Sequence, residues 1–297
     1  MTTEILETPQ YLESIEDQYK SSFHRIHAFV EALSTSYHQG RISPKKMREV
    51  YRSFGDDFLN NTVQGHGWRK PFGYAGDFLM IDKIYTCHTS KNPTYRGWDE
   101  YFHQQAAPRA VRNRKEYFKQ LLRTRMLIQR SFTLLNVASG SARDLTEFYA
   151  DMNQPQRLHT TCVEMDQHAI AYVKNLNQLY LPYIKPITYF LTVTKQTFDL
   201  IWSAGLFDYF DDKLFAALLR RFRNYLKSGG EIVVGNFNQD HNPSRAYMEI
   251  LGNWFLHHRT EQQLIDLAQK ADFEHWQLSV NREPENVNLF LHIKVSR

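Results

Sequence analysis

The segment Phe132–Asp144, Phe-Thr-Leu-Leu-Asn-Val-Ala-Ser-Gly-Ser-Ala-Arg-Asp, limits the fold more than any other stretch of the chain. Phe132 to Val137 is a short apolar run of the kind that forms a strand buried on both faces. Ala138, Gly140 and Ala142 follow at every second position, and a helix is expected from Asp144 to Ala150. A strand, a turn of small residues and a helix are how a doubly wound sheet brings a nucleotide against its first strand. The spacing is that of G-x-G-x-G with alanines in place of the outer glycines. Taken alone it also fits an ordinary strand-to-helix turn.

The residues downstream add weight to the nucleotide reading. Leu158 to Val163 reads as a second strand and ends at Glu164-Met165-Asp166. An acid about 20 residues after such a turn is placed to accept both ribose hydroxyls of a nucleotide. Glu164 has that position; Asp166 either shares the role or caps the helix that begins at Gln167. Ile187 to Leu191 is a third expected strand, and Thr197 onward a fourth, ending in Ser203-Ala204-Gly205. Small residues at a strand's carboxyl end let a ligand approach the backbone. Phe207, Asp208 and Tyr209 follow at the mouth of such a pocket. Leu214 to Leu226 is an expected helix, stopped by Lys227-Ser228-Gly229-Gly230. Glu231 to Phe237 is a fifth strand, helices cover about Ser244 to Leu256 and Arg259 to Ala271, and Trp276–Val280 and Asn288–Val295 are close enough to pair antiparallel.

The N-terminal half is helical in pattern. Tyr11 to Tyr37 carries one apolar face, and Ser43-Pro44 opens a second helix that runs to about Asn60. Asn61 to Asp77 is read as an irregular loop: Gly65, Gly67, Gly73, Gly76 and Pro71 share it with Trp68, Arg69, Tyr74 and Asp77. A loop of that composition suggests contact with a ligand. Trp98 to Arg125 is amphipathic and broken near Pro108. Arg112 and Arg114 lie two apart on it and so take different helix faces, which leaves one of them free to point inward toward an anion. Residues 1–130 are therefore expected to be an N-terminal helical lid or substrate region, and 131–297 the cofactor-binding domain.

Composition excludes several classes. No apolar run among the 297 residues reaches the ~18 needed to span a membrane. Two cysteines, Cys87 and Cys162, exclude a disulfide framework and the common zinc motifs; with the polar N-terminus they lead to a cytoplasmic expectation and no metal. A net charge of +4 is compatible with acidic small molecules and gives no basic stripe for nucleic acid.

Phe132 to Arg297 resembles the class I S-adenosylmethionine-dependent methyltransferases in its small-residue turn, the acid after strand two, Phe198-Asp-Leu-Ile-Trp-Ser203, Leu226-Lys-Ser-Gly-Gly230 and the final strand pair. More narrowly, the chain resembles the bacterial family linked to 3-hydroxypalmitic acid methyl ester biosynthesis. Lys70–Asp77, Ala107–Arg114, Val137–Ala142, Ser203–Tyr209 and Trp254–Thr260 carry that resemblance. It implies an α/β, Rossmann-like seven-stranded sheet, mostly parallel with an antiparallel final strand, below an N-terminal helical lid. S-adenosylmethionine is the implied cofactor, with contacts at Asn136, Ala138, Ser139, Gly140, Ala142, Glu164, Met165, Asp166, Ser203, Ala204, Gly205 and Asp77. Two departures stand out: the outer glycines are alanines, and no acid follows strand three near Leu191 to hold the adenine amino group.

The implied reaction is methyl transfer to a small molecule, a 3-hydroxy fatty acid carboxylate in the narrower reading. An ionised carboxylate requires no general base. Tyr74, Tyr209 or Trp68 would face the sulfonium, and Arg112, Arg114 or Arg259 an acidic substrate group; Tyr74, Tyr209 and Arg112 are the residues assigned to catalysis. Two other uses of the same fold are weighed. In one, the cofactor's own amine attacks its Cγ to give azetidine-2-carboxylate and methylthioadenosine, with Ser203, Tyr74 and Asn136 holding the methionine end. In the other, the protein binds the cofactor without catalysis.

Overall fold

Successive residues of Phe132–Val137 (β1) face different cores. Leu134 joins one apolar cluster with Leu200, Trp202 and Phe290, and Leu135 joins another with Ile201, Ile232 and Leu291. A strand can be apolar on both sides only where helices cover both sheet faces, as the continuous apolar run implied. In this computed structural model, which describes residues 22–187 and 196–296, that is the arrangement around β1.

The chain forms two compact units: the described residues up to Arg109 together with Pro243–Phe255, and Ala110–Asn242 together with Leu256–Arg297. The first is helical. It contains α1 (Ser22–His38), α2 (Pro44–Ser53), α3 (Gly55–Asn61), α4 (Val63–Arg69), α5 (Phe78–Tyr85), α6 (Pro93–Gln104) and the start of α7 (Ala106–Met126). The single helix expected from Pro44 to Asn60 is divided at Gly55, where φ is 75°. The loop expected over Asn61–Asp77 is half helix. Thr62 caps α4 by accepting the Gly65 N–H, and Lys70 ends it in the left-handed region. Gly65 serves packing here: a Cβ would stand 2.1 Å from the Leu59 carbonyl oxygen. Part of the expected N-terminal helix, Tyr11 to Ser21, lies outside the described residues.

Buried polar groups organise this unit. Asp99 accepts the N–H groups of Val63 and Ser90, each at 2.7 Å, and burial pushes its carboxyl up to about 6 against those two hydrogen bonds and Lys83. The returning segment supplies Ser244, whose hydroxyl accepts the Ala107 N–H, and Tyr247, whose hydroxyl donates to Gln64. That segment was expected to be helical from Ser244 to Leu256. Its helix, α11 (Arg245–Ile250), is short because the chain turns back, with Asn253 left-handed and Trp254 N–H on the Met248 carbonyl.

The second unit is a seven-stranded sheet in the order β3-β2-β1-β4-β5-β7-β6. Its strands are β1, β2 (Leu158–Val163), β3 (Ile184–Ile187), β4 (Phe198–Ser203), β5 (Leu226–Phe237), β6 (Leu278–Arg282) and β7 (Asn288–Lys294). Strands one to five pair in parallel, and β7 inserts antiparallel between β5 and β6. Mostly parallel strands with an antiparallel end are the expected sheet. The remainder of the expected third strand, to Leu191, lies outside the described residues. Helices α8 (Arg143–Ala150), α9 (Gln167–Leu176), α10 (Asp212–Arg223) and α12 (Glu261–Lys270) complete the unit. Phe118 of α7 stacks on Trp202 at 4.7 Å, which seats that helix on the sheet. No helix among the described residues is long and apolar enough to cross a membrane.

Candidate functional site

Strand order reverses between β1 and β4, and the carboxyl ends of strands at such a switch point are where open α/β sheets bind ligands. The turn after β1 is built for close approach. Ala138, Gly140 and Ala142 all adopt left-handed backbone, with φ of 54°, 55° and 49°. Glycine takes that conformation readily, whereas each alanine holds it at about 1–2 kcal/mol. The alanine substitutions thus preserve the turn's shape. Ser139 N–H reaches the Val163 carbonyl and ties the turn to the end of β2.

Glu164 meets this turn directly. Its Oε2 accepts the Gly140 N–H at 3.0 Å, and its Oε1 accepts the Met165 N–H at 2.7 Å. A carboxylate has room for further donors beyond these. Asp166 caps α9 through Oδ1, which accepts the His168 N–H, while its buried Oδ2 has no partner; both sequence readings of this residue therefore stay open. Met165 projects outward at 81% exposure.

At β4, Ser203 is wholly buried and its hydroxyl has no hydrogen-bond partner. An orphaned buried hydroxyl at a strand's carboxyl end awaits a ligand or a water. Ala204 and Gly205 follow, and Arg114 of α7 comes against them. Its Nη1 donates to the Ala204 carbonyl at 3.0 Å, and a Cβ on Gly205 would stand 3.1 Å from that same nitrogen. Arg114 is thus the inward member of the Arg112/Arg114 pair, at 5% exposure; Arg112 is half-buried on the same helix. The Nε–H of Arg114 has no partner, and among the described residues no carboxylate lies in ion-pair contact with it. Two buried acids act on it from further away. Burial raises Asp144 to about 6, and the Leu145 N–H and Arg114 pull it back. Burial likewise raises Asp208 to about 7, opposed by the Phe237 N–H, Arg114 and Arg259. A buried guanidinium without a contact anion is costly, and a ligand carboxylate would relieve it.

Arg259 is not available to substrate as the sequence suggested. Its guanidinium is engaged by the Phe207 and Phe210 carbonyls, Asn236 Oδ1 and Asp212 Oδ1. It pins the turn that carries half-buried Tyr209 to β5. Asn136 is 3% exposed at the centre of the edge, between Cys162 and Trp202.

Tyr74 and Asp77 belong to the first unit. Asp77 is fully buried; its two oxygens accept from His66 Nε2 at 2.9 and 3.0 Å, and Oδ1 also caps α5 on the Met80 N–H. Tyr74 is half-buried in the turn held by this arrangement. Sequence reasoning had no signal for the His66–Asp77 pair, because the partners lie on different elements.

Comparison with solved structures finds likeness in the fold. A possible exported protein from Bordetella parapertussis matches with a TM-score of 0.61 at 18% identity, over 79% of this chain and 86% of that one. The CurJ carbon methyltransferase matches at 0.54 and 12% identity, over 85% and 71%. A Nostoc punctiforme protein assigned as an O-methyltransferase matches at 0.52 and 15% identity, over 82% and 73%. The fold is the Rossmann-like methyltransferase fold. Identities this low speak for architecture alone. No protein-family model matches the chain, and no curated protein matches its sequence.

Proposed function

We propose that the protein is an S-adenosylmethionine-dependent methyltransferase acting on a small molecule, with a 3-hydroxy fatty acid carboxylate as the acceptor. The observation that carries this reading is the hydrogen bond between Glu164 and Gly140, because it brings the ribose-type acid and the small-residue turn together at the switch point. The orphaned Ser203 hydroxyl and the partnerless Nε–H of Arg114 fit the polar, zwitterionic end of that cofactor.

Bound S-adenosylmethionine supplies an already activated methyl group. The chain's own work is placement, and orientation alone can provide up to ~7–11 kcal/mol of rate enhancement. Glu164 accepts the ribose hydroxyls, with Met165 and Asp166 flanking. The backbone of Ala138, Ser139, Gly140 and Ala142 borders the methionine portion, together with Asn136, Ser203, Ala204 and Gly205. Arg114 holds the cofactor's carboxylate, and Asp144 and Asp208 provide negative potential for its ammonium. Tyr209 presents an aromatic face to the sulfonium, worth ~0.5–2 kcal/mol. Arg112 receives the acceptor carboxylate, which is ionised near neutrality and requires no base.

Incubation of the full chain with S-adenosylmethionine, read by mass spectrometry, tests this. The expected result is a bound, intact cofactor that yields a methyl ester once 3-hydroxyhexadecanoate is added. Methylthioadenosine with azetidine-2-carboxylate, formed without acceptor, would replace methyl transfer by cyclisation. Folded protein that binds no cofactor would refute both.

A further inference from the structure

The sheet has a second edge, which the cofactor reading leaves unused. Strands β1 to β6 all start there, because β7 alone runs against the rest. Eight large apolar side chains are exposed among the described residues, and five of them stand at this amino edge. Leu127 (81%) and Ile128 (79%) precede β1, Leu179 and Leu181 precede β3, and Trp276 (69%) precedes β6. Scattered exposed apolar residues are ordinary on a protein surface; most of them gathered on one edge mark a site of contact. Their exposure is held in place. Arg157, just before β2, donates from Nη2 to the Met126 and Gln129 carbonyls at 2.8 and 2.6 Å. Those carbonyls bracket Leu127 and Ile128, so a pinned turn presents the pair.

Charge on the same edge is one-sided. Asp151 pairs with Arg123, Asp199 with Lys227, Asp272 with Arg220 and buried Glu231 with Arg125. Glu274 caps the short turn that carries Trp276. Arg130, Arg157, Lys270 and Lys294 remain, with no carboxylate in ion-pair contact among the described residues. All but Arg157 are exposed. The row is long and interrupted: from β3 to β6 it crosses six strand spacings, or ~29 Å at ~4.8 Å each. Apolar tips set apart along such a row do not form the contiguous apolar core that a protein partner buries. They suit a lipid surface, where each side chain enters between headgroups and anionic phosphates meet the cations. A nucleic acid would use the cations and leave the apolar side chains in water.

We propose that the amino edge of the sheet docks the protein on a bilayer containing anionic lipid, with Leu127, Ile128 and Trp276 entering at headgroup depth and Arg130, Lys270 and Lys294 facing lipid phosphates. The carboxyl edge, with Glu164 and Ser203, is then turned away from the lipid. The docking goes beyond the methyltransferase reading and does not depend on it. No helix among the described residues is long and apolar enough to span a membrane, so the attachment is to the surface. Insertion and charge have to act together. Even one fully inserted acyl chain holds a protein only marginally, and a few side-chain tips insert less apolar surface than that.

The test is co-sedimentation of the full chain with vesicles of phosphatidylcholine, alone or with about one-third phosphatidylglycerol. Binding to the mixed vesicles is expected, and binding to phosphatidylcholine alone about tenfold weaker or less. Leu127→Ser with Ile128→Ser should weaken binding to the mixed vesicles by about tenfold or more. Arg130→Gln with Lys294→Gln should weaken it by about fivefold per charge removed. All four side chains are exposed, so the variants should keep the circular dichroism and urea midpoint of wild type. No binding to the mixed vesicles, equal binding to both kinds, or wild-type affinity in the folded serine variant would each overturn the proposal. A dimer in vesicle-free solution that the serine variant makes monomeric would overturn it too, because a second copy would then cover the edge. None of these outcomes bears on whether the protein binds S-adenosylmethionine.

Discussion

Ala138 and Ala142 share a left-handed backbone but not an environment, and replacing each by glycine separates two effects. At either position glycine relieves about 1–2 kcal/mol of steric cost. It also enlarges the unfolded ensemble, which removes about 0.4–1 kcal/mol. Ala138 is half-buried and belongs to neither apolar cluster, so Ala138→Gly should stabilise by about 0.5–1 kcal/mol. Ala142 is 1% exposed and packs with Leu145, Phe148 and Trp202. Losing that methyl removes roughly 0.8 kcal/mol of apolar burial, which brings Ala142→Gly close to zero. Urea unfolding followed by circular dichroism is the assay, with the slope required to stay constant so that a midpoint shift reports stability. Ala138→Gly less stable than wild type, or Ala142→Gly stabilised as much as Ala138→Gly, would refute the claim that backbone strain dominates at Ala138 and lost packing offsets it at Ala142.

Three further outcomes are expected. Arg114→Met should weaken S-adenosylhomocysteine binding by tenfold or more while leaving methylthioadenosine, which lacks the amino acid end, within about twofold; calorimetry reads both. Asp208 carries a carboxyl raised from 3.8 to about 7 chiefly by burial, so its contribution to stability is full below about pH 4 and is lost as pH rises through 7. Asp208→Asn should therefore flatten the decline in melting temperature between pH 5 and pH 8, and an unchanged pH profile would remove the buried carboxylate as its source. Arg259→Ala strands two carbonyls and the Asn236 side chain, and should destabilise by about 3 kcal/mol in urea titrations.

The strands were legible because burial on both faces leaves continuous apolar runs, and β1 and β2 begin and end where those runs do. The turn after β1 and Glu164 were legible by spacing, since both belong to one local unit. Arg114 was legible only as one of two candidates: the pattern gave opposite helix faces, and the seat against Ala204 and Gly205 decided between them. The row of Leu127, Ile128, Leu179, Leu181 and Trp276 left no trace in the sequence. Its members share an edge only through the order of strands far apart in the chain, which no local periodicity encodes. The glycines of Asn61–Asp77 misled because glycine answers to close packing as well as to turns, and Gly65 lies where α4 needs a side-chain-free surface.

The return of Pro243–Phe255 to the first unit has a consequence for biosynthesis. A ribosome delivers Gln64 and Ala107 long before it delivers the Tyr247 and Ser244 that satisfy them. Until then the Gln64 side chain and the Ala107 N–H lack these partners. Domains usually complete in order of emergence; this one waits for its successor to be nearly made. The same threading means that no single cut yields two whole pieces, since any break between Arg109 and Pro243 leaves the helices without α11.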